Sequence, residues 1–377
     1  MGKLGPFRVI STKLLVGIDS HVEEIISDLG IGLPEVRILG ICGMAGIGKS
    51  TIARVIYDRL SNQFEGSCFL PDVRDNAERN GLICLQKILL SDIFMEGDTP
   101  IEIFDVYQGL DLIKNRLCTR KILLILDDVD QIEQLETLAL CHDCFGLGSR
   151  IIITLRDEHL LRMHGVDLIY RPKELNYEEA LALFSFKSFK KEHPPTYYME
   201  MSNHILKYAA GLPLAIVVLG SLLYGRTVQE WQLILKDLEL HPMREIDDVL
   251  KISFDGLEMM MKEVFLHIAC FFKGSDKYHV IEILNCIGID GQLALSVLID
   301  KSLIEISSDN KLCMHNLLQQ MGRKIVCQEC KKEPGKHSRL WMQEDIDDVL
   351  TKNMVRGFVG IFMLSIDTIL LLKKICI

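Results

Sequence analysis

The sequence lacks three features that would place it in large functional classes: a basic surface, a hydrolase motif and a secretory leader. Lysine and arginine number 42 against 52 aspartate and glutamate residues, so the formal net charge is −10. An acidic chain without long basic runs does not neutralise nucleic-acid phosphates, and we expect no nucleic-acid partner. Neither the GxSxG nor the HExxH pattern occurs, which argues against serine hydrolase and zinc protease chemistry.

The cysteines exclude more than they suggest. Twelve are present, dispersed among apolar neighbours, and no secretory signal precedes them, so we expect free thiols in a reducing compartment. The two CxxC pairs, Cys141/Cys144 and Cys327/Cys330, lie much further apart than the two halves of a zinc ribbon. We therefore predict no structural zinc site.

Two apolar stretches are long enough to be considered as membrane spans. The first, residues 205–224, carries Lys207 and a central Gly-Leu-Pro, which favours a pair of buried helices. The second, residues 358–372, is short for a span and contains Asp367. We expect no stable membrane span, with a tail anchor in the second stretch as the alternative.

What the sequence does contain is a phosphate-binding loop. Residues 43–51 read GMAGIGKST, which fits the G-x4-G-K-[ST] pattern between a β-rich run, residues 36–42, and a helical pattern, residues 50–60. In such a loop, backbone N–H groups converge on the β-phosphate at a helix N-terminus. Lys49 is expected to reach the β- and γ-phosphate oxygens, and the Ser50 hydroxyl to bind Mg²⁺.

Further aliphatic runs predict the remaining strands of a parallel sheet. Residues 121–130 read KILLILDDVD and residues 149–157 read SRIIITLRD, while SCFL at 67–70 is a shorter candidate. Uniformly aliphatic runs are typical of strands buried on both faces. Helical patterns separate these runs, so the first half of the chain predicts a doubly wound α/β domain.

Charged residues at the ends of these runs complete the predicted site. Because parallel strands end at one edge, Asp127 is predicted to hold Mg²⁺, and Asp128 to orient or deprotonate a water. Arg156 is predicted to sense the γ-phosphate from the third strand. The alternative for Arg156 is a surface ion pair with Asp157 or Glu158.

The second half of the chain has a different pattern. From about Leu175 the β-rich runs disappear, and helical periodicity begins behind Asn176, a plausible helix cap. Residues 302–315 predict a short hairpin followed by a helix, which together with the preceding helices suggests a winged-helix unit. The predicted divisions are a leader (1–14), a P-loop nucleotide-binding domain (15–172), a helical domain (173–242), a winged-helix domain (243–352) and a connector or tail (353–377).

Six motifs in order give a resemblance to a known family. They are GMAGIGKST, LLILDDVD, GSRIIITLRD, GLPLA at 211–215, FLHIACFFKG at 265–274 and MHN at 314–316. The chain resembles the NB-ARC nucleotide-binding module of plant intracellular immune receptors. It is most similar to the Toll/interleukin-receptor subclass, which includes the tobacco mosaic virus resistance proteins.

The resemblance implies a switch that is off with ADP and on with ATP, acting in defence signalling in the cytoplasm, with the nucleus as an alternative. It implies that Pro213 packs by the base or ribose, that Val16 lines the adenine pocket and that His315 touches the ADP β-phosphate. Partners would be other immune receptors or a second copy of the module. The residues implied in phosphate binding are Gly43, Gly46, Ile47, Gly48, Lys49, Ser50 and Thr51.

Two departures from the family pattern matter. The usual Met-His-Asp is Met-His-Asn here, and we expect Asn316 to cap the next helix without supplying the negative charge that favours a protonated His315. A looser hold on ADP is the resulting hypothesis. The family's N-terminal signalling domain and leucine-rich repeats are not recognisable in this sequence, so a truncated receptor without NAD-cleaving chemistry is expected.

Three alternatives to the switch stay open at this stage. The first is a turnover ATPase, which the set of Lys49, Ser50, Asp127 and Asp128 would also suit. If the chain is a switch, we expect ATP hydrolysis to be slow at most. A DNA-binding regulator would use the winged helix, although the helix expected to read the DNA, QLALSVLIDK, has one basic residue and resembles core. A scaffold that associates with full-length receptors is compatible with the switch.

Overall fold

The computed structural model describes residues 16–94, 102–138, 141–240, 244–329, 338–340 and 360–361. The chain divides into two compact units, residues 1–237 and 238–377. The predicted boundary between nucleotide-binding and helical domains, at 172/173, falls inside the first of these units and stays a prediction.

The first unit is built on a five-stranded parallel sheet. Its strands lie in the order β2-β3-β4-β1-β5, and four of them occupy the predicted aliphatic runs. The fifth, at one edge, is too short for its pattern to be read from the sequence. The strands are β1 (Arg37–Cys42), β2 (Gly66–Leu70), β3 (Ile122–Val129), β4 (Arg150–Leu155) and β5 (Leu168–Tyr170).

Helices cover both faces of this sheet, which confirms the predicted P-loop α/β fold. Along β3 the side chains alternate, so that Leu123 and Ile125 enter one core while Leu124 and Leu126 enter the other. The helices of this part are α1 (Ile18–Leu29), α2 (Lys49–Leu60), α3 (Val73–Asn80), α4 (Leu82–Phe94), α5 (Val106–Leu117), α6 (Ile132–Leu138) and α7 (Glu158–His164).

Four further helices complete the first unit. Asn176 caps the N-terminus of the first of them as predicted, in a reciprocal capping box with Glu179. The apolar stretch 205–224 is divided between two helices, because Ala210 turns left-handed (φ 47°) and a Gly-Leu-Pro follows. These helices are α8 (Tyr177–Phe189), α9 (Met199–Ala209), α10 (Pro213–Leu223) and α11 (Val228–Leu240).

The second unit contains helices and the predicted hairpin. Strands β6 (Glu305–Ile306) and β7 (Leu312–Cys313) pair antiparallel, and the short parallel pair β8 (Arg339–Leu340) and β9 (Gly360–Ile361) follows. A π-helical turn, Ile268–Phe272, extends α13. The helices are α12 (Arg244–Asp255), α13 (Met259–His267), α14 (Lys277–Cys286), α15 (Gly291–Asp300) and α16 (Asn316–Glu329).

Within the described ranges, no helix is long and apolar enough to cross a membrane. The tail-anchor alternative falls on residues 358–372, which lie outside the described residues except for β9. The predicted leader, residues 1–14, and Cys330 also lie outside them.

Candidate functional site

The phosphate loop lies between β1 and α2, as predicted. Gly46 and Gly48 have φ angles of 83° and 102°, a backbone region that side chains disfavour. A Cβ added at Gly48 would meet no described atom within 4 Å, so the loop is open at this point. Gly48 gives α2 no side-chain cap, which leaves the helix N-terminus available for an anion.

Lys49 is buried beneath this loop rather than extended into solvent. Its Nζ donates to the carbonyl oxygens of Gly43 and Met44 at 2.8 and 3.0 Å. Burial, followed by the neighbouring Arg156 guanidinium, lowers the pKa of Lys49 to about 8. A phosphate would compensate this buried positive charge, so the loop fits a phosphate-bearing ligand.

Asp127 lies at the carboxyl end of β3 and is hydrogen-bonded to Ser50 of α2, the helix that follows the phosphate loop. The Thr154 hydroxyl donates to Asp127 Oδ1 at 2.5 Å, and the Ser50 hydroxyl is a second hydrogen-bond partner. Burial raises the pKa of Asp127, and both hydroxyls oppose that shift. Two neighbouring strands and α2 therefore converge on one carboxylate.

Asp128 is turned away from the regular strand. Its φ of 56° is left-handed, the β3–β4 register shifts between Leu126 and Val129, and its N–H donates to Thr154 Oγ1 at 2.9 Å. An aspartate tolerates this conformation better than most residues. The bulge directs the Asp128 side chain towards the charged groups at the sheet edge.

Both oxygens of the Asp128 carboxylate are paired with guanidinium groups. Arg156 Nη2 lies 3.3 Å from Oδ1, and Arg74 Nη2 lies 2.9 Å from Oδ2. Arg156 therefore reaches a carboxylate of the site, while Glu158 pairs with Arg162 and Arg171. Burial lowers the pKa of Arg156, and Asp128 acts in the opposite direction.

Arg74 was missed by the sequence analysis. It lies four residues beyond the end of β2, at the start of α3, and β2 is the neighbour of β3 in the sheet. The reasoning about strand ends, applied to the short run SCFL, would have pointed to the segment that contains Arg74, but not to its pairing with Asp128.

The GLPLA segment contacts the phosphate loop directly. The Leu214 N–H donates to the Gly46 carbonyl at 3.1 Å, and a Cβ at Gly46 would lie 2.8 Å from Leu214 Cβ. Pro213 is the first residue of α10, where its missing N–H costs the helix nothing. The structure thus places Pro213 next to a residue that touches the loop.

Val16 is half-buried in the turn before α1. The adjacent Gly17 lies against Leu175, since a Cβ there would be 2.5 Å from Leu175 Cδ2. Leu175 in turn donates its N–H to the Gly211 carbonyl at 3.0 Å. The turn that holds Val16 is therefore connected through Leu175 to the GLPLA segment.

His315 belongs to the second unit, between β7 and α16. Its Nδ1 accepts from the Leu317 N–H at 3.2 Å, so the ring proton of the neutral imidazole is on Nε2. The prediction that Asn316 caps α16 is wrong, because the His315 ring takes that position and Asn316 Oδ1 accepts from the Lys273 ammonium. The predicted contact of His315 with a β-phosphate stays a prediction.

The residues for a metal are also of a suitable kind. Ser50 and Asp127 offer a hydroxyl and a carboxylate, the hard oxygen ligands that Mg²⁺ accepts while keeping several waters and phosphate oxygens. In the described part of the chain, no group of three or more His, Cys, Asp and Glu residues is arranged to hold a metal ion. A magnesium ion held by Ser50 and Asp127 would complete its coordination with waters and phosphate oxygens.

The sheet, the open loop with its buried lysine and the acid at the next strand end define a P-loop nucleotide-binding protein. The family model for the NB-ARC domain matches residues 18–194, and that for the winged-helix domain of Roq1-like disease resistance proteins matches residues 258–330. The chain belongs to the NB-ARC family, in the form found in plant disease resistance proteins.

Two curated relatives extend the similarity over nearly the whole chain. Disease resistance protein RPV1 of Vitis rotundifolia is 42% identical over 96% of this chain, and TMV resistance protein N of Nicotiana glutinosa is 42% identical over 90%. The chain spans only 26% and 30% of the lengths of these two relatives. Activities of the whole relatives therefore do not transfer with the similarity.

A solved structure supports the fold alone. The Walker-type ATPase PABY2304 of Pyrococcus abyssi superposes with a TM-score of 0.52 at 13% identity, covering 82% of this chain and 96% of the archaeal chain.

Proposed function

We propose that the chain is an adenine-nucleotide switch of a plant immune receptor of the Toll/interleukin-receptor class. ADP would maintain its resting state and ATP its active state, in defence signalling in the cytoplasm. The observation that carries the proposal is the hydrogen bond from Leu214 N–H to the Gly46 carbonyl, at 3.1 Å. It joins the phosphate loop to helix α10, so a change in the loop would be transmitted to a helical element.

The residues of the loop would divide the work of binding. The backbone of residues 43–48 and the N-terminus of α2 would hold the phosphates, with Lys49 as the buried counter-charge. Thr51 follows Ser50 in the first turn of α2, where its N–H faces the same end of the helix. Bound nucleotide would supply the negative charge that this cradle compensates.

Three residues complete the proposed nucleotide contacts. Val16 would line the adenine pocket and Pro213 would pack by the base or ribose. The contacts through Leu175 and GLPLA support this arrangement. His315, with its proton on Nε2, would donate to the ADP β-phosphate from the winged-helix side. Such a contact would make the arrangement of the domains depend on which nucleotide is bound.

Rapid ATP turnover is less well supported than switching. The Asp128 carboxylate, which would have to orient or deprotonate a water, is paired on both oxygens with Arg74 and Arg156. This carboxylate would have to give up one of its two ion pairs before it could orient a water. DNA binding is also less well supported, because α15 buries Ala294, Leu295 and Leu298.

The test combines affinity, shape and turnover on the same chain. We expect ADP and ATP to bind with Mg²⁺ present, the sedimentation coefficient to differ between the two complexes, and turnover to stay below about 1 s⁻¹. Lys49→Ala is the control: it should bind either nucleotide only weakly, and show neither a difference in sedimentation nor measurable turnover. Equal sedimentation with either nucleotide, or turnover well above that rate, would overturn the switch.

A further inference from the structure

Arg74 occupies a position that the proposed nucleotide contacts do not use. It lies in the first turn of α3, its side chain is 23% exposed, and its Nη2 is 2.9 Å from Asp128 Oδ2. Its Nε also lies 3.2 Å from the half-exposed Asp75 carboxylate. The guanidinium is therefore held between two acids, with the more buried of them at the nucleotide site.

Through Asp128, Arg74 is coupled to Arg156. The two guanidinium groups bind opposite oxygens of the same carboxylate, so they share one negative charge. Arg156 in turn lies close enough to Lys49 to oppose its protonation. Arg74, Asp128, Arg156 and Lys49 thus form one electrostatic cluster next to the phosphate loop.

We propose that Arg74 is a positioning residue that sets the preference of the site for ATP over ADP by sharing the Asp128 carboxylate with Arg156. The inference rests on the proposed nucleotide switch and names one residue that adjusts it. With Arg74 present, Asp128 pairs with two guanidinium groups and neutralises the charge of Arg156 only in part. Arg156 can then attract a second anion.

The direction of the effect follows from the charges. Without Arg74, the whole Asp128 charge acts on Arg156 and on any phosphate chain near it. ATP carries one more negative charge than ADP, so its binding is weakened more. The site would then favour ADP more strongly.

Arg74→Gln tests this, with Arg79→Gln as the matched control. Arg79 lies on the same helix, and its substitution by Gln removes the same charge. Its side chain is 77% exposed, and its described partner is Asp75. With Mg²⁺ present, we expect Arg74→Gln to weaken ATP binding about 10-fold and ADP binding less than about 2-fold. Arg79→Gln should leave the ratio of the two dissociation constants unchanged.

A double-mutant cycle separates positioning from a purely structural role. In an Asp128→Asn background, Arg74→Gln should no longer change the ATP/ADP ratio, because the shared carboxylate is gone. Arg74→Lys should restore part of the ratio. An unchanged ATP/ADP ratio in Arg74→Gln, or an equal shift of that ratio with and without Asp128, would overturn the inference. The proposed switch would not be affected by that result as long as the wild type binds nucleotide. Absence of nucleotide binding by the wild type would instead remove the proposed function itself.

Discussion

Arg150 and Arg156 lie at the two ends of one strand, β4, and the protein uses them for opposite purposes. Arg150, at the amino end, is fully buried. Among the described residues, its guanidinium donates to five backbone carbonyl oxygens, at distances of 2.5 to 3.2 Å: those of Leu29, Gly30, Leu33, Glu35 and Ser149. These acceptors belong mainly to the loop between α1 and β1, so Arg150 fixes that loop against the sheet.

Arg156, at the carboxyl end, has a carboxylate as its partner and keeps 20% of its side chain exposed. The difference shows which arginine can respond to a ligand. Backbone carbonyls cannot move without unfolding the loop, whereas an ion pair with Asp128 can be exchanged for one with a phosphate. The kind of acceptor, rather than burial alone, distinguishes the structural arginine from the one at the site.

The largest predicted effect is on the structural side of this comparison. Arg150→Met should lower the free energy of unfolding by about 3 kcal/mol or more, because several buried carbonyl groups lose their donor. Urea titration of the chain measures it. Arg37→Met is the control: Arg37 is partly exposed and donates to the Asp28 carbonyl and to Glu35, so less than about 1 kcal/mol is expected. Equal losses would erase the distinction.

Arg156→Gln should show the reverse pattern. We expect ATP affinity to fall at least about 10-fold, because a cation next to the phosphate loop is removed, while the free energy of unfolding changes by less than about 1 kcal/mol. Titration with both nucleotides and urea unfolding of the same preparation decide it. Strong destabilisation with an unchanged ATP/ADP ratio would assign Arg156 a structural role instead.

The pH dependence of binding tests the buried lysine beside Arg156. The pKa of Lys49 is lowered to about 8 in the free protein, and a bound phosphate would raise it again. Binding above pH 8 must therefore take up a proton, so affinity should fall between pH 7 and pH 9, by at most about 10-fold per pH unit. Calorimetry in buffers of different ionisation enthalpy measures the proton. Lys49→Ala should bind weakly with no such dependence, and a flat wild-type profile contradicts the assignment.

The smallest effect is expected in the second unit, at Asn316 beside His315. Because Lys273 donates to Asn316, the carboxylate in Asn316→Asp would be shared with an ammonium group. The Leu317 N–H already occupies the Nδ1 lone pair of His315. We therefore expect ADP dissociation to slow by no more than about 2-fold. A much slower dissociation, measured by displacement of fluorescent ADP, would restore the sequence-based hypothesis of a loose resting state.

The two arginines also differ in how far their environments can be predicted from the sequence. GSRIIITLRD predicts β4 and the edge at which Arg156 emerges, since both depend on local pattern and on the parallel order of strands. Nothing local distinguishes the environment of Arg150, because four of its five acceptors come from residues more than a hundred positions away. Tertiary contacts of this kind are not written in the periodicity of a single segment.

The same limit applies to the site. The phosphate loop and Asp127 were predictable because a loop motif and an aliphatic run are continuous in sequence. The pairing of Asp128 with Arg74 depends on a bulge in β3 and on β2 lying next to it. The position of the His315 ring at the start of α16 depends on a side-chain rotamer, which the sequence pattern MHN does not specify.

The most direct test of the central claim is the nucleotide content of the purified chain. The protein is denatured after purification, and the released nucleotides are separated and quantified against protein concentration. We predict about one ADP per chain in the wild type and none in Lys49→Ala. A wild-type chain that contains no nucleotide, and that binds neither added ADP nor added ATP, would contradict the account.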